Sequence, residues 1–159
     1  MFNNVPNAAS RLVRAGFLTG VVDGSFSSIL AAFFYGSTVT KLFQGVAATV
    51  LGPSAADGGS RTAAIGWLMH FGVAFGWSAV FLLAYNQFAG LRGFVGSTTG
   101  KLVAAAVYGP IIWMVMSLVV IPLLLHRPTT ITYKWWIQFV GHAPFVALPM
   151  IWMIAKSGE

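Results

Sequence analysis

Four long apolar stretches, separated by short polar connections, constrain the fold of this chain more than any other feature. They run over residues of about 12–35, 63–85, 102–125 and 135–155. An α-helix of about 20 residues covers about 30 Å, which is the thickness of the hydrocarbon core of a bilayer. We therefore predict an all-α membrane protein in which residues 1–159 form a single domain with four transmembrane helices.

The composition supports a lipid environment. Hydrophobic residues make up 57% of the chain and charged residues only 8%, whereas a soluble domain carries about 25% charged residues. The chain has no cysteine, which excludes disulfides, thiolate metal sites and a cysteine nucleophile. Its acidic residues are only Asp23, Asp57 and Glu159, and no nucleophile-elbow motif for a serine appears, so we expect no enzymatic activity.

The basic residues give the chain a formal net charge of +6, but they lie near the span ends and form no basic stripe. This distribution indicates contact with lipid headgroups and not with nucleic acid. The positive charges favour cytoplasmic termini by five to four, which predicts that both ends of the chain lie in the cytoplasm. The five are Arg11, Arg14, Arg92, Lys101 and Lys156, and the four are Lys41, Arg61, Arg127 and Lys134.

The first connection contains a second, shorter helical pattern. Val39, Leu42, Phe43, Val46 and Val50 recur at the spacing of one helical face. Gly52-Pro53 then stops the helix. We predict a short amphipathic helix over about 38–51 that lies in the membrane interface.

Small residues at four-residue intervals predict where the helices pack. Lipid tails are as apolar as leucine, so membrane helices associate through close contacts at small residues. The first span carries Gly16, Gly20 and Gly24, and the second carries Gly72 and Gly76. We expect these glycines to form helix contacts within the bundle, with contact to another protein as the alternative.

Three ionisable side chains fall within the apolar spans: Asp23, His70 and His142. Such groups usually face the interior of a bundle or a water-filled cavity. The two histidines each lie about seven residues into spans that run in the same direction, so they have similar depths, and Asp23 lies within a turn or two of that level. We predict that the three converge, accompanied one helical turn away by Thr19, Ser27 and Gln138.

Such a cluster has several possible roles. These roles are a buried hydrogen-bonded network that fixes helix register, a proton or ion pathway, and a cofactor site. Two facing histidines are able to ligate a haem or a pigment metal, which makes His70 and His142 the candidate metal ligands. The spacing is no signature of either group, and we predict no cofactor.

Several short motifs occur in the same order along all four spans. They are Leu51-Gly52, Gly58-Gly59, Thr62-Ala63-Ala64, Leu68-Met69-His70-Phe71, Tyr108-Gly109, Val120-Ile121-Pro122, Gly141-His142 and Leu148-Pro149. Through them, residues 12–155 resemble a family of small, uncharacterised bacterial membrane proteins with four spans. The resemblance implies the four-span architecture, a bacterial inner-membrane location and recurrent Asp23, His70 and His142. The chain departs from that family in the glycine-rich loop between Gly90 and Gly100.

Two classes of function fit these features. The first is a non-catalytic accessory or scaffold subunit that packs against other subunits of a larger membrane complex, respiratory or photosynthetic. Small size, short loops and glycine stripes are typical of that class. The second is a self-contained bundle that binds a cofactor such as haem, or conducts a proton or small solute, through Asp23, His70 and His142.

Overall fold

The structure, a computed structural model, describes residues 7–155. It is 87% helical, and no strand occurs in the part of the chain that it describes. Four helices are long and apolar enough to cross a bilayer, which confirms the predicted all-α membrane fold. In chain order the helices are α1 (Ala8–Phe34), α2 (Val39–Leu51), α3 (Gly59–Gln87), α4 (Ala89–Phe94), α5 (Thr98–Leu125) and α6 (Tyr133–Ile154).

Helices α1 and α5 begin before the predicted spans because polar residues cap them outside the apolar stretches. The Asn7 side chain accepts a hydrogen bond of 2.8 Å from the backbone N–H of Ser10, so α1 begins at Ala8. The Ser97 hydroxyl accepts one of 3.0 Å from the N–H of Gly100, so α5 begins at Thr98. Apolarity marks the part of a helix that lies in hydrocarbon, while capping marks where the helix begins.

Helix α1 lies between two neighbours, with α3 on one side and α6 on the other. Helix α5 packs mainly against α6, and the Tyr108 hydroxyl of α5 donates a hydrogen bond to the Trp77 carbonyl of α3. At the end of the bundle that holds the chain termini, Arg11 of α1 donates a hydrogen bond to the Ile154 carbonyl of α6. Lys101 is buried there, with its ammonium 5.0 Å from the centre of the Trp152 ring. The long helices are thus joined by polar contacts as well as by packing.

Helix α2 forms within one residue of its predicted bounds, but a different face is buried. It packs against the first half of α3, where Phe43, Gln44 and Ala47 are buried. The Gln44 side-chain amide donates a hydrogen bond to the Gly59 carbonyl, which explains the burial of a polar residue. Val39 and Val50 of the apolar repeat are exposed on the surface of the structure, which is where an interfacial helix contacts lipid.

The glycines of α1 and α3 behave differently. On α1, a Cβ built at Gly20 would lie 2.6 Å from the Phe71 ring, and one built at Gly24 would lie 3.3 Å from His70, so both positions require glycine to bring α3 close. Gly16 meets Phe75 in the same way. Gly72 and Gly76 are exposed, with no atom within 4 Å of an added Cβ, and the expectation that they form contacts inside the bundle is wrong.

Two stretches of α5 and α6 are wound as π-helix: Met116–Val120 and Ala143–Ala147. In each, the next residue donates its N–H five residues back, Ile121 to Met116 and Leu148 to Ala143, and a proline follows. Because proline has no N–H, the next carbonyl in the ladder loses its partner. In α5 that carbonyl belongs to Ser117.

Two further features depart from a plain four-helix picture. The glycine-rich second loop, over 86–101, contains the short helix α4. The four spans also differ in length, from 27 to 29 residues in α1, α3 and α5 to 22 residues in α6. At 1.5 Å per residue, α6 is about 10 Å shorter than α3. Helix α2 contacts the last turns of α5, so it packs with the parts of α3 and α5 that lie toward this end of the bundle.

Candidate functional site

The structure brings Asp23 of α1 and His70 of α3 together. The Asp23 Oδ2 atom lies 3.8 Å from Nδ1 of His70, and the two side chains keep only 17% and 13% of their exposure. The other ring nitrogen of His70, Nε2, lies 2.9 Å from the Gly20 carbonyl. Small residues on α1 allow this approach, because a side chain at Gly24 would meet the imidazole.

The contacts of His70 fix the role of one ring nitrogen. A carbonyl only accepts hydrogen bonds, so Nε2 of His70 carries a proton that it donates to Gly20. Nδ1 then faces the Asp23 carboxyl group at 3.8 Å, which is beyond hydrogen-bonding distance. Nδ1 and the carboxyl group are thus two neighbouring groups that are each able to take up a proton.

Buried polar atoms without a protein partner continue from this pair along the bundle. The second carboxyl oxygen of Asp23, Oδ1, is buried and unpaired among the described residues. The Thr19 hydroxyl, one helical turn away on α1, is in the same state, as is the Ser78 hydroxyl, two turns beyond His70 on α3. Further buried, unpaired atoms belong to Gln138, Trp113 and Tyr35. Buried polar groups are usually hydrogen-bonded, so each of these atoms is a position at which a water molecule could be bound.

His142 lies near the pair but makes different contacts. It is 7% exposed, and its Nδ1 donates a hydrogen bond of 2.7 Å to the Gln138 carbonyl of its own helix. Its ring centre lies 4.8 Å from that of Trp113 on α5. The neighbouring Gly141 lies against Phe26 of α1, about one turn from Asp23. Of the three ionisable residues, only Asp23 and His70 are in contact.

The three polar residues predicted to accompany this cluster have different surroundings in the structure. Thr19 is buried on the face of α1 that carries Asp23. Gln138 supplies its backbone carbonyl to His142, and its side-chain oxygen is left unpaired. Ser27 is half-buried and forms no hydrogen bond through its side chain within residues 7–155.

The sequence reasoning missed a polar group around Ser117 of α5. The Ser117 hydroxyl donates to the Trp113 carbonyl at 2.6 Å and accepts from the Trp135 indole of α6 at 3.0 Å. The Ser117 carbonyl, which Pro122 leaves without a helical partner, accepts a hydrogen bond from the Thr129 hydroxyl. A proline five residues after a serine in an apolar span is the pattern that would have pointed to this site.

The geometry gives little support to a metal at the histidines. No group of three His, Asp or Glu side chains within residues 7–155 is arranged to hold a metal ion. Both ring nitrogens of His70 face protein groups, the Gly20 carbonyl and the Asp23 carboxyl group. A haem or pigment metal would have to displace one of them, so His70 does not fit the role of an axial ligand in this arrangement.

Comparison with family models, curated proteins and solved structures finds no match to the chain. The resemblance to bacterial four-span proteins therefore stays a prediction. Any statement about function has to be argued from the site itself.

Proposed function

We propose that this protein carries protons through the interior of its helix bundle, by way of the Asp23–His70 pair. The observation that supports this most directly is the arrangement of the pair, in which Nε2 donates to the Gly20 carbonyl and Nδ1 faces the Asp23 carboxyl group at 3.8 Å, so that a second proton is able to pass between these two groups. Such a pair takes up a proton from one side and releases it to the other without any large movement of the backbone.

The unpaired polar atoms supply the rest of the argument. Asp23 Oδ1 and the Thr19 hydroxyl lie on one face of α1, and Ser78 lies on the face of α3 that carries His70. Hydroxyl groups both donate and accept hydrogen bonds, so they are able to order water molecules between them. Polar groups that lack protein partners at this depth favour a hydrated path over a purely structural network, in which each group would be paired.

Proton flux into liposomes tests the proposal. Purified protein is reconstituted with a pH-sensitive dye inside the vesicles, and a potassium gradient with valinomycin drives protons inward. We expect Asp23→Asn to reduce the flux to that of empty vesicles, because an amide cannot take up a proton. Asp23→Glu should retain part of it. Asp57→Asn is the matched control, since Asp57 is exposed outside the spans, and it should leave the flux unchanged.

Two outcomes would contradict the proposal. One is a wild-type flux no greater than that of empty vesicles. The other is an Asp23→Asn variant that conducts as well as the wild type. Circular dichroism on each variant separates a lost pathway from a lost fold.

A role as a subunit of a larger membrane complex is the second candidate, and one observation favours it. Gly72 and Gly76 lie four residues apart on an exposed part of α3, where they bring no helix of this chain closer. Two glycines at this spacing are a common contact between membrane helices. If a partner helix packs there, Gly76→Leu should release partner proteins that copurify in mild detergent, whereas Gly45→Leu on α2, equally open, should retain them. Equal recovery from both variants would argue against a partner at this face.

The protein is a multi-pass membrane protein. We further propose the bacterial inner membrane as its location, with both termini in the cytoplasm. The support is the family resemblance and the small excess of basic residues on that side. Cysteine-accessibility labelling at Asn7 and Thr130 would test the orientation.

A further inference from the structure

We propose that a cavity beside the end of α5 binds the headgroup of a phosphoethanolamine lipid. The cavity has a volume of about 260 Å³ and is lined by Ile121, Leu125, Arg127, Pro128, Thr129 and Thr130. It is separate from the Asp23–His70 pair and rests on different observations. The proposal therefore stands or falls independently of proton transport.

The loop after α5 is folded so that it forms one wall of the cavity. His126 adopts a left-handed conformation, with φ of 52°, which turns the chain as α5 ends at Leu125. The Thr129 hydroxyl then donates to the Ser117 carbonyl, two turns before the end of the helix. The loop is thereby held alongside the last turns of α5, and the cavity lies between them.

The cation in the cavity has no counter-charge among residues 7–155. Arg127 forms no ion pair or hydrogen bond with the residues that the structure describes. The acidic residues among them are Asp23, which contacts His70 inside the bundle, and Asp57, which lies just before α3. The guanidinium group is well suited to binding phosphate through paired N–H donors. The exposed Thr130 adds a hydroxyl donor on the same wall.

The end of α5 supplies the complementary charge. The last carbonyls of a helix have no partner within the helix. No backbone N–H among residues 7–155 donates to the Leu125 carbonyl, so it is open to a donor at the negative end of the helix dipole. A primary ammonium group satisfies it, whereas an anionic headgroup without an amine does not.

The surroundings fit a lipid better than a soluble phosphate ester. Ile121 and Leu125 form an apolar wall that continues onto the outer surface of α5, where Leu124 and Leu123 are exposed. An acyl chain can follow that surface while its headgroup occupies the cavity. The loop lies at the end of a membrane span, where lipid headgroups are found.

Native mass spectrometry of the purified protein tests the proposal. The protein is titrated with dioleoyl phosphatidylethanolamine, dioleoyl phosphatidylglycerol and inorganic phosphate. We expect phosphatidylethanolamine to bind more tightly than phosphatidylglycerol, and Arg127→Gln to weaken its binding by about tenfold, as the loss of a charge-assisted hydrogen bond predicts. Arg61→Gln is the matched control, because Arg61 is an exposed arginine at the same end of the bundle, and it should bind as the wild type does. Thr130→Val should weaken binding less than Arg127→Gln.

Three results would overturn the proposal. Equal binding by Arg127→Gln and Arg61→Gln would show that the cavity is not the site. Equal or tighter binding of phosphatidylglycerol would remove the role of the amine. Displacement of the lipid by millimolar inorganic phosphate would identify a site for free phosphate instead. An Asp23→Asn variant that has lost proton flux should still bind the lipid, which distinguishes the two proposals.

Discussion

The two histidines of the bundle lie in seams that are held together in opposite ways. His70 bonds to the Gly20 carbonyl of a different helix and faces an acid on that helix, so its side chain joins α3 to α1. His142 bonds to the Gln138 carbonyl of its own helix. The seam between α5 and α6 is closed instead by backbone, since Gly109 lies directly against the backbone of His142 and Ala143.

This difference explains why we expect substitutions of the two histidines, which lie at similar depth, to change the stability by different amounts. In the α1–α3 seam, side-chain chemistry and packing depend on the same residue. In the α5–α6 seam, the close backbone contact depends on Gly109, and the His142 imidazole packs against Trp113 without bonding to another helix. Substituting a polar side chain that bonds to another helix weakens the contact between the two helices. Substituting one that bonds within its own helix leaves that contact in place.

The largest effect should come from Gly109→Ala. A Cβ there would lie 2.5 Å from the His142 carbonyl oxygen and from the Ala143 amide nitrogen, and backbone atoms cannot move aside as a side chain can. We expect a loss of about 2 kcal/mol in the free energy of unfolding, measured by detergent titration with SDS. Gly76→Ala is the control, since it adds a methyl group to an open surface and should be neutral or slightly stabilising. Equal stability of the two variants would show that the α5–α6 seam is looser than described.

A smaller effect is expected for His70→Leu. The substitution removes the hydrogen bond to Gly20 and leaves Asp23 without its partner. Hydrogen bonds between membrane helices contribute about 0.6 kcal/mol on average and up to about 1.7 kcal/mol. We expect a value near the upper end, because the buried Asp23 carboxyl group also loses its partner. The same SDS titration measures it, and a His70→Leu variant as stable as the wild type would mean that the side chain does not join the helices.

The smallest effect is expected for His142→Leu, because the lost hydrogen bond lies within α6 and the Trp113 contact can be kept by an apolar side chain. We expect a loss of less than about 1 kcal/mol, as for a buried side chain replaced by one of similar volume. One SDS titration series that includes both histidine variants shows which of them loses more free energy of unfolding. If His142→Leu destabilises the protein more than His70→Leu, the contrast between the seams is reversed.

The fold could be predicted from the sequence because a helix that crosses a bilayer must be apolar and about 20 residues long. Apolar length identified all four spans, and a helical repeat of apolar residues located α2. The four-residue spacing of Gly16, Gly20 and Gly24 correctly indicated a face of α1 that receives another helix. These patterns are local and depend little on which helices become neighbours.

The errors arose where the choice of neighbour mattered. Gly72 and Gly76 have the same spacing as the glycines of α1, but spacing does not tell which face of a helix meets its own chain. Gln44 lies outside the apolar repeat of α2, yet it is buried because the Gly59 carbonyl lies within reach. The Ser117 group depends on a carbonyl released by Pro122, and its partners Thr129 and Trp135 lie beyond a loop. Such contacts follow from tertiary packing and leave no periodic pattern in the sequence.

The unequal lengths of the spans have a consequence for where the protein meets the membrane surface. The apolar stretches of α3 and α6, at about 63–85 and 135–155, are similar in length, so the additional residues of α3 lie outside the hydrocarbon core, among the lipid headgroups. The two flanks of the protein should therefore favour a bilayer of the same thickness, and the longer helix should contact headgroups and water at both of its ends.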